Sequence, residues 1–558
     1  MSQKIIQDRN NTYVTIQDCL FLSIVVLLSL CLYVGGLGFY SDDWSKLGYL
    51  SMSEDQSLSG LCRSAYSPLN AMRPVHMLYQ SVLYWLFGLN PLGYHLVNGA
   101  LLLLGVVLFY LVLSEIGKPR IIALAVPTVY AILPHFSTDR FWFSASQINL
   151  SMALYFLSLY ADLRAMRTQW SHLCGYKLLS ILSLLGSTLA YEVFLPMFLL
   201  NLLVVWYHGR KSYVLVPSNP SRRVKLAVLF GSNLLALILV LVFKALTTTR
   251  AGEVGFFKYH ILWFSRLLKD ALTVSYGEYG FGLPSLLWRI LHLYPDWTVF
   301  AVGGGLGLIV FGYFYRTASQ SKADLTNQLS MLTYIAFGLV VFVIGYAIFL
   351  TNYSAVITPT GKGNRIAIAS AVGVAISFVG AMGWVSALMS SNSLRRLCFC
   401  ALIAIYCMSG FVINNTLASF WIAAYPKEKE VMVGIKQQFP TLPTDSTLIL
   451  DGVCPYVGPA PVFEATWDLT GALIMLYRDY SLRADVVTPN FKIEEDGLYN
   501  IYGDHHPYGE KLFIYHFGRK ITNRLTDVNT ARLYFQAVNP DHGSGCPPGK
   551  EAYGVPVF

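Results

Sequence analysis

Tyr40-Ser41-Asp42-Asp43-Trp44 closes the first long apolar run of the chain, residues 20–40, with almost no spacer. A run of about twenty apolar residues is long enough to cross a bilayer as a helix. Two adjacent carboxylates where such a segment surfaces are expensive to place and mark a functional position. Asp42 and Asp43 are therefore expected to line the outer mouth of a multi-span membrane protein.

Composition fits that frame. The 558 residues are 55% hydrophobic and only 13% charged, with mean hydropathy +0.50, against roughly 25% charged in soluble domains. The aromatic content of 14% suits belts at membrane interfaces. The net charge of +9 does not imply nucleic acid, because many Lys and Arg residues sit in short loops between apolar runs, as the positive-inside rule expects. No cleavage site follows the first run, so it is expected to remain as an anchor.

Charge parity sets the topology. Residues 1–17, with Lys4 and Arg9, are placed inside. Spans are expected at about 18–39, 95–116, 120–134 and 147–163. The run 177–207 has basic residues at both ends and Tyr191-Glu192 in its middle. Two short spans turning outside at Glu192 satisfy the charge rule, and one long span with a buried Glu192 is the alternative. Further spans are expected at about 226–246, 298–315, 329–350, 366–388 and 397–415. Stretches 77–87 and 259–272 carry apolar residues at helical spacing and read as interfacial helices. Gly303-Gly304-Gly305, inside one span, is expected to permit close helix packing.

The expected fold is therefore a polytopic α-helical membrane protein of about eleven transmembrane helices, with a small extracytoplasmic α+β domain at the C-terminus. Residues 1–421 form the membrane domain and 422–558 the outer domain, where charge, Pro and Gly rise and apolar runs shorten to strand length, as in Thr447–Asp451. Cys454 and Cys546 are that region's only cysteines and are expected to pair in an oxidising compartment. No Cys/His spacing suits a metal, so neither metal nor cofactor is expected.

This topology sends Asp42, Asp43, Arg73, His76, Asp139, Arg140, Glu192, Arg250, Lys258, Lys362 and Arg365 to the outer face from well-separated loops. A cavity lined by both signs of charge suits sugar transfer from a polyprenyl phosphate. A carboxylate takes the proton of the attacking hydroxyl. Cations hold the departing phosphate. The phosphate leaves as an anion, so one base suffices.

A resemblance supports this reading. Asp42-Asp43 after the first span resembles the acidic pair of the GT-C glycosyltransferases, among them protein O-mannosyltransferases and aminoarabinose transferases. Arg73-Pro74-Val75-His76, followed by Gly88-Leu89-Asn90-Pro91 and His95-Leu96-Val97-Asn98, is similar to the entry to their second span. Pro134-His135 with Asp139-Arg140-Phe141-Trp142 resembles their acidic segment. The resemblance covers residues 18–250 well and 250–415 loosely. It implies catalytic roles for Asp42, Asp43 and Asp139, with Asp42 as base and Asp139 positioning base or acceptor. It also implies that Lys362 and Arg365 contact the lipid phosphate, and Arg73, His76, Arg140, Glu192, Arg250 and Lys258 are grouped with them as substrate-binding candidates. This chain carries Asp-Asp where the family often carries Asp-Glu, which leaves open which acid acts.

Plainer readings stand beside these. Asp42 and Asp43 can cap a helix beginning at Trp44, Asp139 and Arg140 can pair with each other, and Glu192 can simply turn a hairpin; Asp504-His505-His506 could bind a metal, but adjacent His side chains diverge on most backbones. The expected partners are a polyprenyl-phosphate-linked sugar donor, a glycan, lipid or protein acceptor, and membrane lipids, with no nucleic acid. The expected location is a bacterial inner membrane with the outer domain in the periplasm. A transporter or flippase of an anionic lipid or solute, and a polymerase or ligase of lipid-linked glycans, are the alternatives.

Overall fold

A computed structural model describes residues 2–214, 220–247, 257–320, 328–351, 355–489, 491–540 and 546. Among these, eight helices are long and apolar enough to cross a membrane, and Arg120–Ile132 and Met197–Tyr207 are shorter apolar helices. With Ser146–Arg167, each span expected from charge parity has its helix. The chain is an integral multi-pass membrane protein with a small C-terminal sheet domain.

The first span differs from expectation. Its helix ends at Leu30, and the apolar stretch that crosses is Tyr13–Leu30, not residues 18–39. The sequence that follows contains Gly35, Gly36 and Gly38, poor helix formers, and residues 31–41 leave the helix to pack on the helix Asn392–Gln438. A Cβ on Gly38 would lie 1.9 Å from the Tyr425 ring. Tyr40 donates its hydroxyl to the Trp421 carbonyl at 2.7 Å. Residues 37–41 of this stretch are buried against protein, whereas Cys31, Leu32, Gly35 and Gly36 are exposed.

The expected hairpin at Tyr191-Glu192 is present as a 3₁₀ turn, Glu192–Phe194, between Trp170–Ala190 and Met197–Val214. The alternative of one continuous span is excluded. The interfacial stretches are the helices Pro74–Phe87 and Phe257–Leu272.

The boundary expected at 422 falls inside a single helix, Asn392–Gln438, of 47 residues. It runs directly into the C-terminal sheet domain, whose first strand begins at Thr447. That domain holds a four-stranded sheet. Thr447–Asp451 lies at its centre, parallel to Arg483–Val486 and Leu512–His516, and the latter pairs antiparallel with Ile521–Arg524. Strand alternation divides the central residues between two cores. Leu448, Leu450, Phe513 and Tyr515 join the main core, continuous with the membrane helices. Ile449, Leu512 and Ile514 face a separate cluster with Tyr534 and Phe535 of the helix Val528–Val538. Cys454 and Cys546 are disulfide-bonded.

Candidate functional site

The helix Asp42–Ser51 starts at the acidic pair itself, not at Trp44. Ser41, just before it, has φ 49° and ψ −122°, a backbone conformation sparsely populated by residues other than glycine and often found at functional sites. The two acids have different surroundings. Asp43 is fully buried. Its Oδ2 accepts from the Tyr40 N–H at 2.9 Å, and its Oδ1 accepts from the Ser144 N–H at 2.8 Å and from the Ser144 hydroxyl. Burial pushes its carboxyl up to about 7, against the pull of these hydrogen bonds and of Lys46. Asp42 is half-buried and lines a cleft of about 430 Å³ with Ser45, Lys46, Asn70, Gln80 and Trp467. No described residue hydrogen-bonds to its carboxylate.

Lys46, one helical turn beyond Asp42 and therefore on the same face, is held below its ordinary range by burial. The charges of Asp42 and Asp43 oppose that shift, and those of Arg73 and Arg365 add to it. Arg73 forms a two-pronged pair with Glu192, Nε to Oε2 at 3.0 Å and Nη2 to Oε1, and lies over the Tyr191 ring at 4.4 Å. Lys244 reaches the same carboxylate at 3.4 Å. Burial raises Glu192, but Arg73 overrides it and holds the carboxyl down at about 2. His76 is buried beside Lys46 and Arg73, and burial first, then those cations, hold it well below the usual imidazole range. Glu192 thus does more than turn a hairpin: it ties the start of the helix Pro74–Phe87 and the helix Pro220–Thr247 to the turn after Trp170–Ala190.

Arg365 lies over the Trp142 ring at 4.9 Å, and the Trp142 indole donates to the Tyr40 carbonyl at 2.9 Å. Asp139 and Arg140 sit below, both buried. They do not hydrogen-bond to each other: both Asp139 oxygens and the Arg140 Nε and Nη1 lack hydrogen-bond partners among the described residues. Arg140 instead donates to the Ala131 carbonyl at 2.5 Å. Burial raises Asp139 well above the carboxylate range, with Arg365 and Arg140 pulling it back.

Lys362 pairs at 2.5 Å with Glu464, a residue of the outer domain. Glu464 also accepts from the Ser41 hydroxyl at 2.8 Å and from the Tyr456 hydroxyl. Asp468 holds this turn by accepting the N–H groups of Glu464 at 2.8 Å and Ala465 at 3.2 Å. Asp42, Asp43, Arg73, His76, Glu192, Lys362, Arg365 and, below them, Asp139 and Arg140 are therefore drawn around one region. Arg250 and the Lys258 side chain lie outside the described residues.

Lys46, Gln80, Ser144, Glu464 and Trp467 were not singled out from sequence. The i,i+4 spacing of Asp42 and Lys46 was a usable signal. The outer-domain residues gave none, because only the docking of that domain brings them to the cleft. Within that domain His505 is exposed and stacks on Tyr499 at 4.5 Å, whereas His506 is buried and pairs with Asp485 at 2.7 Å. Adjacent strand residues point to opposite faces, so the two do not converge.

The sequence matches no family profile and no curated protein. Among solved structures, it is similar to ArnT from Cupriavidus metallidurans bound to undecaprenyl phosphate, with 15% identity over 84% of this chain and 89% of that one and a TM-score of 0.37. It is also similar to an oligosaccharyltransferase of Archaeoglobus fulgidus tethered with an acceptor peptide, with 11% identity over 84% of this chain and 63% of that one and a TM-score of 0.38. These are likenesses of fold.

Proposed function

We propose that the protein is an inverting membrane glycosyltransferase that moves a sugar from a polyprenyl-phosphate donor to a hydroxyl acceptor on the outer face, with Asp42 as general base. The observation that carries this reading is the free Asp42 carboxylate at a cleft bordered by Lys46, with Arg73 and Arg365 close enough to act on it. The acceptor oxygen attacks the anomeric carbon and Asp42 takes its proton. The bond to the phosphate oxygen breaks with both electrons, and polyprenyl phosphate leaves as an anion. Lys46, Lys362 and Arg365 supply the positive charge that steadies it. Asp43 shapes the loop, since its oxygens are already engaged.

General-base removal costs about 10²–10⁴-fold in rate. Asp42→Asn is expected to lose transfer on that scale when membranes bearing the protein are given radiolabelled polyprenyl-phosphate sugars and a cell-envelope acceptor fraction. Wild-type membranes that release no polyprenyl phosphate from any such donor, or an Asp42→Asn protein with full transfer, would overturn the reading.

A further inference from the structure

The cleft beside Asp42 has a wall that a base and a phosphate clamp do not require. Trp467 and Gln80 form part of it. Gln80 is 1% exposed and its amide Nε2 has no hydrogen-bond partner among the described residues. Buried amide groups rarely stay unsatisfied unless something else fills the role. Trp467 is half-buried, its indole N–H is likewise unpartnered, and its ring is backed by Tyr502 at 5.0 Å. Ser45, Ser67 and Asn70 supply further hydroxyl and amide groups. A volume of about 430 Å³ is within the range of small-molecule sites. The lining pairs these polar groups with the aromatic rings of Tyr49, Tyr66 and Trp467.

Resting on the transferase reading, we propose that this cleft is a saccharide site. One sugar ring packs against the Trp467 indole, Gln80 and the neighbouring hydroxyls hydrogen-bond its oxygens, and Asp42 faces one of its hydroxyl groups. An aromatic face with nearby donors and acceptors is the chemistry that recognises a ring carrying both C–H and O–H groups. The ring belongs either to the acceptor glycan or to the donor's sugar.

The test uses the full-length protein in detergent and a panel of methyl glycosides of common hexoses, N-acetylhexosamines and pentoses, read by saturation-transfer-difference NMR titration. Wild type binds at least one glycoside. Trp467→Ala weakens that binding about tenfold or more, and Trp467→Phe restores most of it, as loss of one aromatic contact predicts. Gln80→Leu weakens it as well. No binding by wild type, or equal binding by Trp467→Ala, overturns the site. In turnover of a polyprenyl-phosphate sugar, a raised KM for acceptor alone in Trp467→Ala assigns the ring to the acceptor. A fall in donor hydrolysis without acceptor assigns it to the donor. Trp467-dependent glycoside binding by a protein that transfers no sugar would sink the transferase reading and leave the site standing.

Discussion

Asp42 and Asp43 are neighbours in sequence and unlike in circumstance. Asp43 is enclosed and accepts hydrogen bonds from Tyr40 and Ser144, while Asp42 faces the cleft. Replacing Asp43 by Asn puts an amide N–H against one of those donors, a loss of about 1–3 kcal/mol for an unsatisfied buried group. The pH dependence has a definite sign. The Asp43 carboxyl is raised from 3.8 to about 7 by burial. The folded protein therefore keeps this proton between roughly pH 4 and 7 while the unfolded chain releases it, so stability falls as pH rises through that window, by at most about 1.4 kcal/mol per pH unit. Scanning fluorimetry in detergent should show the apparent unfolding temperature declining from pH 5 to 7. The decline should be shallower in Asp43→Asn, and equal slopes would refute the assignment. The acidic pair was legible in the sequence because carboxylates beside an apolar run stand out. Its division of labour was not, because it depends on Ser144, which lies 101 residues away.

At the level of helices, apolar length and loop charge found a helix for each expected span, eight of them among the described residues long and apolar enough to cross a membrane, since both are local properties that the bilayer enforces. They misplaced the end of the first helix, which stops at Leu30 before a glycine-containing stretch that packs on another helix, and they did not show that one helix, Asn392–Gln438, runs through position 422. Glycine was a partial guide. Of Gly303-Gly304-Gly305, only Gly303 meets a neighbour, with Phe411 at 3.1 Å and Val412 at 3.3 Å from its Cβ position. The closest helix contact lies elsewhere, between Gln328–Tyr346 and Ile368–Ala387. A Cβ on Gly373 would come within 2.3 Å of the Phe342 nitrogen and 2.4 Å of the Gly338 carbonyl. Backbone atoms on both sides cannot rotate away. Gly373→Val should cost at least the ~1–3 kcal/mol of an overpacked core and lower the apparent unfolding temperature, whereas Gly304→Val, with nothing within 4 Å, should leave it unchanged. The Arg73–Glu192 pair offers a second check. Its side chains are 19% and 26% exposed, so Glu192→Gln should cost about 1–3 kcal/mol, between the surface and buried limits for ion pairs.

Across the whole molecule, the C-terminal domain is part of the cleft, since its Trp467 lines it. Its helix Thr466–Tyr477 crosses Asp42–Ser51 at two glycines. A Cβ on Gly471 would lie 2.4 Å from the Trp44 carbonyl and from the Ser45 Cα, and one on Gly48 would lie 2.8 Å from the Gly471 carbonyl. This backbone-on-backbone contact sets how deeply Glu464 reaches Ser41 and Lys362, and whether Trp467 stands at the cleft. Gly471→Leu should therefore push the domain outward while leaving the spans in place. Glu464 then loses Lys362 and Ser41, and Trp467 leaves the wall. We expect transfer to fall at least about tenfold, equivalent to ~1.4 kcal/mol. The coupling gives the sharper measurement. In the wild-type background Glu464→Gln should alter transfer, because it removes the charge that Lys362 meets. In the Gly471→Leu background the same change should have little further effect, since contacts already broken cannot be broken again. Two effects that simply add would mean that the glycine crossing and the Glu464 contacts act independently, and that the outer domain does not set the geometry of the cleft.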